Sequence, residues 1–215
     1  NVYISNKANM RPNFADFNNV TMKNGVATCP SGVDGYSGNI FIAGVDLKQK
    51  DATTGEEIVY HCTVNMNGCT VEGGQSKHGA NIGVAGVTTL NITDSVIRNG
   101  NAATGGGNIY TGNPNATINI YNTEISGGTA SNGGNIRVGT GRINFFGGSI
   151  LGGDGVGIGK SLYINGNTNS KLFIYDGTIN VTDVKSPFAV ASHATNGTGT
   201  LAIMNANVIG ADPTA

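Results

Sequence analysis

The chain contains little charge and no tryptophan. Charged residues make up 12% of its 215 residues, against about a quarter in an ordinary soluble domain. The chain has 12 basic residues, scattered along its length, and 13 acidic residues, and the formal net charge is -1. No basic surface for nucleic acid or for an anionic membrane is visible in this distribution. We therefore expect neither nucleic acid nor a membrane surface among its partners.

Long apolar runs and paired cysteines are also missing. No segment approaches the ~20 consecutive apolar residues of a membrane-spanning helix. Cys29, Cys62 and Cys69 allow one disulfide at most, and which pair would form it stays open. Neither these cysteines nor the three histidines show the spacing of metal ligands. The sequence thus indicates no metal and no cofactor.

A helical period is absent as well, and a two-part repeat takes its place. The first half-repeat reads Asn, apolar, any residue, apolar, and it begins at Asn1, Asn39, Asn81, Asn108 and Asn135, with related copies at Ser161 and Pro187. The second half-repeat has two apolar residues separated by one residue, and a third apolar residue five positions after the second. Its copies are Ala15/Phe17/Met22, Val64/Met66/Val71, Leu90/Ile92/Ile97, Ile118/Ile120/Ile125, Ile143/Phe145/Ile150, Leu172/Ile174/Ile179 and Leu201/Ile203/Val208.

Alternation at period two with glycine-rich turns predicts short strands, and the regular copies start only 26 or 27 residues apart. Such short connections leave no room for crossover helices, so each copy must pair with the next. We predict an all-β fold, a single-stranded parallel β-helix of about seven coils with about 27 residues per regular coil. The general preference for right-handed parallel connections makes it right-handed.

The whole chain, 1–215, is expected to form one domain. Longer, loop-bearing coils occupy 1–80, regular coils occupy 81–210, and a tail follows at 211–215. The apolar positions should stack as an inward core, so that a charge at Ile120 or Ile174 would unfold several coils. The repeated asparagines should bond to one another from coil to coil.

The Asn-Ile and Ile-Asn-Ile strands with Gly-Gly turns resemble the pectate-lyase-like right-handed β-helix superfamily. The texture rich in glycine, asparagine and threonine is most similar to repetitive bacterial cell-surface domains. The resemblance implies an extracellular or cell-surface location and an adhesin-like role. Because the superfamily also holds polysaccharide lyases and hydrolases, it does not imply a particular chemistry.

Asp94 and Glu124 are the candidate catalytic residues for that enzymatic alternative. Thr93-Asp94 and Asn122-Thr123-Glu124 are fragments of the motifs of β-helix polygalacturonases, whose other motifs are missing. An inverting hydrolase needs two carboxyl groups about 6.5–9.5 Å apart, and bend positions in adjacent coils could approach this distance. The other interpretation is a pair of isolated carboxylates on solvated bends.

Two surfaces are candidates for binding. Tyr121, Phe146 and Tyr175 follow the buried pair in successive coils and should stack as an outward aromatic stripe, which either binds a glycan or protein or stabilises neighbouring strands. Loops at 5–13 and 43–61 should project together. The longer loop carries the charged residues Asp46, Lys48, Lys50, Asp51, Glu56 and Glu57, and it is either a functional loop or a solubilising one.

These observations predict a non-catalytic extracellular module of a bacterial surface or secreted protein. It would act in adhesion, in binding a glycan or a host or cell-surface protein, or as a scaffold. One alternative is a β-helix polysaccharide lyase or glycoside hydrolase. The other is a filament or repeat subunit that associates end to end through the strand edges of its terminal coils.

Overall fold

The computed structural model describes residues 2–5, 13–28, 36–44, 47–182 and 184–210, which form strands and turns and no helix. No helix that could cross a membrane occurs in this part of the chain. The strands of the first half are β1 (Val2–Ile4), β2 (Asn13–Asn18), β3 (Thr21–Lys23), β4 (Ile40–Ile42), β5 (Leu47–Lys50), β6 (Glu57–Tyr60), β7 (Cys62–Asn67), β8 (Thr70–Glu72), β9 (Gln75–His78), β10 (Ile82–Val84), β11 (Thr88–Thr93), β12 (Val96–Arg98) and β13 (Asn101–Gly105). Those of the second half are β14 (Ile109–Tyr121), β15 (Thr123–Ser126), β16 (Thr129–Ala130), β17 (Ile136–Phe145), β18 (Gly148–Leu151), β19 (Asp154–Gly155), β20 (Leu162–Ile164), β21 (Ser170–Ile174), β22 (Thr178–Asn180), β23 (Phe188–Val190), β24 (Ser192–His193), β25 (Gly197–Thr198), β26 (Thr200–Ile203) and β27 (Asn207–Ile209).

Three parallel sheets wrap around one core, which makes the molecule the predicted parallel β-solenoid. Sheet A joins two stacks, β1-β4-β10-β14-β17-β20-β23 and β2-β7-β11-β14-β17-β21-β26, through the long strands β14 and β17. Sheet B runs in the order β27-β22-β18-β15-β12-β8-β3, and sheet C in the order β19-β16-β13-β9. Each strand pairs with its counterpart one coil away, as the repeat predicts.

The number of turns is a correction to the sequence prediction. The solenoid has about five turns, fewer than the seven expected. Sheets A and B are seven strands deep, whereas sheet C has four strands in the described residues. The reason is that a repeat of apolar residues identifies two of the three sides of a coil. The repeat does not show whether the coils at the two ends of the solenoid also form a paired strand on the third side, in sheet C.

Apolar side chains of the repeat form continuous columns inside the solenoid. In one column, Ile120 pairs in register with Ile92 on one side and with Phe145 on the other, and all three are fully buried. Burying one side chain of this size stabilises a fold by about 1.5–3 kcal/mol relative to leaving it exposed. The predicted inward positions are therefore confirmed, and the stacked columns supply most of the stability.

At both ends of the solenoid the core columns are only partly covered. Apolar side chains that pack on the core but are partly buried are Val2, Ile4, Ala15, Phe17 and Val20 in the first coil and Val184, Phe188, Leu201, Ile203, Ala206 and Val208 in the last coils. Their strands lie at the sheet edges, where backbone groups offer a template for further pairing. End-to-end association stays a prediction.

At two corners of the solenoid, an asparagine is followed by a glycine in the next coil for a steric reason. Asn19 and Gly68 both have positive φ, of 55° and 62°, a conformation in which these two residue types are the least strained. A Cβ atom on Gly68 would lie 2.4 Å from Oδ1 of Asn19. The side chain of Asn19 therefore requires a glycine at the matching position of the next coil, and the same relation links Asn99 to Gly127 at the corner between sheets B and C.

The predicted asparagine ladder is confirmed at Asn39, Asn81, Asn108 and Asn135, while Asn1 lies outside the described residues. Each Nδ2 donates to Oδ1 of the next asparagine at 2.8–3.0 Å, and Asn135 donates to Oγ of Ser161 at 3.2 Å. The side chains are buried, and they also bond to main-chain groups at the adjacent turn. We call this the buried amide ladder.

An ion triad crosses three coils on the outer face of sheet B. The carboxylate of Glu72 lies 2.7 Å from Nζ of Lys23 and 2.7 Å from Nε of Arg98, and the three residues are in register. Lys23 and then Arg98 hold the pKa of Glu72 below its ordinary value. Protonation of Glu72 would break both contacts.

We expect Glu72→Gln to weaken the loss of stability in acid. Because the folded-state pKa of Glu72 is lowered, the triad stabilises the fold above the ordinary glutamate pKa and loses this contribution as pH falls through the folded value. From about pH 5 downward, the free energy of unfolding should fall less in the variant than in the unchanged chain. Urea unfolding followed by circular dichroism at several pH values checks this. The difference should shrink in about 1 M NaCl, and parallel profiles would contradict it.

Candidate functional site

Tyr121, Phe146 and Tyr175 stack on the outer face of sheet A, and we call them the aromatic stripe. The ring centroids of Tyr121 and Phe146 lie 4.7 Å apart with planes 7° from parallel, and those of Phe146 and Tyr175 lie 4.7 Å apart with planes 9° from parallel. Tyr121 is 40% exposed and Phe146 is 36% exposed. The predicted stacking is confirmed, whereas a role in binding stays a prediction.

The stacking decides which parts of the rings a partner can reach. The amide N–H groups of Phe146 and Tyr175 donate to carbonyl groups of the preceding coil, so the spacing between coils holds the rings face to face. Both faces of Phe146 are therefore covered by tyrosines, and its edge points outward. An aromatic face is the electron-rich surface against which the C–H groups of a sugar pack. The stripe instead offers mainly ring edges and tyrosine hydroxyls, with the outer faces of Tyr121 and Tyr175 at its two ends.

A cationic group adjoins the stripe. The guanidinium carbon of Arg142 lies 4.4 Å from the ring centroid of Phe173, which in turn stacks on Tyr175 at 6.3 Å. Nη2 of Arg142 donates to the hydroxyl of Tyr175 at 3.3 Å, and Nε donates to Oδ1 of Asn144 at 2.7 Å. Three contacts thus orient this arginine. Lys171 pairs in register with Arg142 on the next strand.

A second amide ladder, which was not predicted from the sequence, runs across the outer face of sheet A beside the stripe. Nδ2 of each asparagine donates to the side-chain oxygen of the preceding coil at 2.8–3.0 Å, through Asp16, Asn65, Asn91, Asn119 and Asn144. Asp16, an acceptor, lies at one end of this series of hydrogen bonds, and Arg142, a donor, lies at the other end. We call it the outer amide ladder. The repeated Ile-Asn-Ile strands carried the signal that could have found it.

A longer aromatic stack on the outer face of sheet A was also missed. Successive ring contacts of 5.1–5.8 Å join Tyr3, Phe41, Tyr36 and Tyr110, with His78 between Tyr36 and Tyr110. The guanidinium of Arg137 then lies between Tyr110 and Tyr163, at 6.0 and 5.6 Å from their centroids. Most residues of this stack occupy the outward third position of the first half-repeat, so their alignment could have been predicted from the sequence. Tyr36 and His78, which pair with each other in an isolated parallel bridge, lie outside the two half-repeats and carried no such signal.

Asp94 and Glu124, the candidate catalytic residues, each have a local hydrogen-bond donor. Asp94 occupies a corner position with φ of 49°, and its carboxylate accepts from Nδ2 of Asn122 at 2.6 Å. Glu124 lies on sheet B, where Oε1 accepts from the hydroxyl of Ser126 at 2.8 Å. These hydrogen bonds are local contacts, one at a coil corner and one on a sheet face. The catalytic role stays an untested prediction.

The charged segment at 43–61 contains an antiparallel hairpin of β5 and β6. Oδ1 of Asp51 accepts the N–H groups of Thr53 and Thr54 at 2.7 and 2.8 Å. These bonds, that of Thr54 first, lower the pKa of Asp51, so this carboxylate closes the turn. Lys50, Glu56 and Glu57 are exposed. Asp46 and the neighbouring loop residues 6–12 lie outside the described residues, as does the side chain of Lys48.

Cys62 and Cys69 are free thiols buried in the core, and burial raises the pKa of the Cys62 thiol. Cys29 lies outside the described residues. Among the residues that the structure describes, no group of three or more His, Cys, Asp or Glu could hold a metal ion.

Two shallow depressions on sheet C form one groove across several coils. Their volumes are about 320 and 280 Å³, and Asn101 and Ala103 line both. The other lining residues are small or polar, among them Gln75, Thr129 and Asp154. The groove therefore has neither the aromatic groups nor the cations that surround the aromatic stripe.

Comparisons with known proteins identify no relative, since no protein-family model, no curated protein and no solved structure matches this chain.

Proposed function

We propose that the chain is a non-catalytic module of an extracellular bacterial surface protein and that it binds a protein partner through the aromatic stripe. The edge-on stack of Tyr121, Phe146 and Tyr175 carries this proposal. Tyrosine, phenylalanine, methionine and arginine are enriched in the buried centres of protein interfaces. All four occur here, because Arg142 lies beside the stripe and Met204, 48% exposed, follows Tyr175 in the next coil.

A protein suits this surface better than a glycan does. The ring faces inside the stack leave no room for a pyranose between them, and the chain has no tryptophan. Ring edges and tyrosine hydroxyls can instead pack against apolar side chains and bond to a partner's backbone. The backbone spacing holds the rings in place before binding, so little side-chain freedom is lost on association.

Sequence texture supports the extracellular bacterial part of the proposal. The Asn-Ile strands, Ile-Asn-Ile strands and Gly-Gly turns are similar to the pectate-lyase-like superfamily and to repetitive surface domains, and we propose descent from that group. Catalysis is not part of the proposal, because Asp94 and Glu124 are engaged at a corner and on a sheet face.

The test is binding by the chain in which Tyr121, Phe146 and Tyr175 are all changed to alanine. Labelled protein would be applied to arrays of extracellular protein domains and of glycans. We expect protein targets whose affinity falls by at least about thirtyfold in the triple variant, since truncating an interface centre costs about 2 kcal/mol or more.

The matched control is Tyr3→Ala, which removes an aromatic ring 66% exposed elsewhere on sheet A. It should leave the affinity unchanged. Glycan targets with the same dependence on the stripe would contradict the choice of a protein partner. Protein targets that bind the triple variant equally well would exclude the stripe.

A further inference from the structure

We propose that Arg142 and Lys171 form a carboxylate-binding site, and that the partner meets the aromatic stripe with an acidic segment of its chain. This inference rests on the proposed function, since it assigns a chemistry to the partner of the same surface. The juxtaposition of two cations in register, beside an exposed aromatic edge, carries it.

The two cations lack an ionic partner within the described chain. The ion pairs of Glu72 lie on sheet B and include neither residue. The outward column that contains Arg142 and Lys171 continues through Thr117, Thr89 and Thr63 on one side and Thr200 on the other, so it supplies no carboxylate. Like charges directly opposite each other on neighbouring strands are destabilising. A bound anion would relieve that repulsion.

Arg142 is oriented before any partner arrives. Asn144 is buried, and its amide is turned so that Nδ2 donates to Asn119 while Oδ1 accepts from Nε of Arg142. The outer amide ladder thus determines where the acceptor for this arginine lies. Phe173 beneath the guanidinium and the hydroxyl of Tyr175 complete the orientation.

The remaining donors of the guanidinium and the ammonium of Lys171 suit a carboxylate. A guanidinium is planar and binds a carboxylate through parallel N–H groups, and a lysine adds a mobile point charge. Arg142 is exposed and Lys171 is half-buried, so an incoming side chain can reach both. An aspartate or glutamate next to an aromatic or aliphatic residue would fill the cationic site and cover the ring edges together.

The experiment is selection of a displayed random peptide library against the whole chain. We expect enriched peptides to combine Asp or Glu with an adjacent aromatic or aliphatic residue. Their affinity should fall about tenfold or more for Arg142→Gln with Lys171→Gln, and also on raising NaCl from about 0.1 M to about 1 M. Gln at 142 keeps a donor for Asn144, and Lys185→Gln, a cation removed elsewhere on the surface, should have no effect.

Charge reversal gives the sharper readout. With Arg142→Glu and Lys171→Glu the same selection should enrich basic peptides. Acidic peptides that bind the Gln double variant as tightly as the unchanged chain would overturn the inference, as would enrichment of neutral peptides whose binding ignores salt. Acidic glycans that bind through these cations, with no acidic peptide enriched, would overturn the choice of a protein segment.

The same peptides separate this inference from the proposed function. If the triple alanine variant of the stripe loses binding while the Gln double variant keeps it, the acidic partner is excluded and the stripe remains an interface. If the Gln double variant loses binding while the triple alanine variant keeps it, the stripe is excluded and the anion site remains.

Discussion

Ile120→Asp is expected to unfold the central coils of the solenoid. Ile120 is fully buried between Ile92 and Phe145, and a carboxylate there would lose its hydration without gaining a cation or hydrogen-bond donor. The effective cost of burying an ion is several kcal/mol, a large fraction of the 5–15 kcal/mol that stabilises an ordinary domain. Urea unfolding followed by circular dichroism measures the loss.

The size of the defect should follow the chemistry of the replacement. Ile120→Val should cost about 0.5–1.5 kcal/mol and Ile120→Ala about 2–5 kcal/mol, because each leaves a larger cavity in the column. The matched control is Thr117→Asp, which places the same carboxylate on the outward face of the same strand beside Arg142. It should change stability by no more than about 0.5 kcal/mol. Equal effects at 117 and 120 would contradict the inward column.

Unfolding caused at Ile120 should also spread unevenly. Each coil of a solenoid contacts only its neighbours, so stability is close to a sum over coils and their interfaces. Amide hydrogen exchange in Ile120→Ala should accelerate most in β14, which contains Ile120, and in its neighbours β11 and β17, and least at β26 and β27. Uniform acceleration over all strands would show instead that the solenoid unfolds as one unit.

Asn108→Ala is expected to be the most damaging change of a polar residue. Nδ2 of Asn108 donates to the carbonyl of Ser126 and to Oδ1 of Asn135, and its Oδ1 accepts from Asn81 and from the amide of Gly100. All four bonds lie at one turn, three of them fully buried, and alanine would leave the N–H of Gly100 and one N–H of the Asn81 amide without an acceptor. Since each such group costs about 1–3 kcal/mol, the total loss should exceed about 3 kcal/mol.

Asn91→Ala is the matched control, because Asn91 occupies the corresponding place in the outer amide ladder. Its Nδ2 donates to Asn65 and its Oδ1 accepts from Asn119, but it is only half-buried. Water can replace those bonds, so the cost should stay below about 1 kcal/mol. Comparable losses at Asn91 and Asn108, measured by urea unfolding, would show that burial does not distinguish the two ladders.

Much of this molecule was predictable because it repeats. Period-two alternation placed Ile92 and Ile120 inward and Thr117 and Tyr121 outward, and the recurrence of the half-repeats stacked each position on its counterpart. Those inward columns are confirmed, as are the asparagine bonds through Asn108 and the stacking of Tyr121, Phe146 and Tyr175. Each follows from local spacing together with the fixed separation of paired strands.

Other features depended on contacts that no spacing encodes. Tyr36, which pairs with His78 outside the two half-repeats, contacts Phe41 and Tyr110 on either side of Gly83, which has no side chain of its own to fill the column. The orientation of Arg142 arises from Asn144, Phe173 and Tyr175 at once. Both arrangements require side-chain rotamers and turn paths, which a pattern of apolar and polar residues does not specify.

The sequence by itself thus determined the solenoid, its inward columns and the outward position of the aromatic stripe. In a repeat of paired strands, the position of a residue within the repeat determines which face it occupies and which residues lie beside it. Only the tertiary structure decided that the stripe presents ring edges, that Arg142 and Lys171 have no ionic partner among the described residues, and that about five turns form. Those outcomes depend on how side chains and turns of different coils pack together, and residues far apart in the chain settle them jointly.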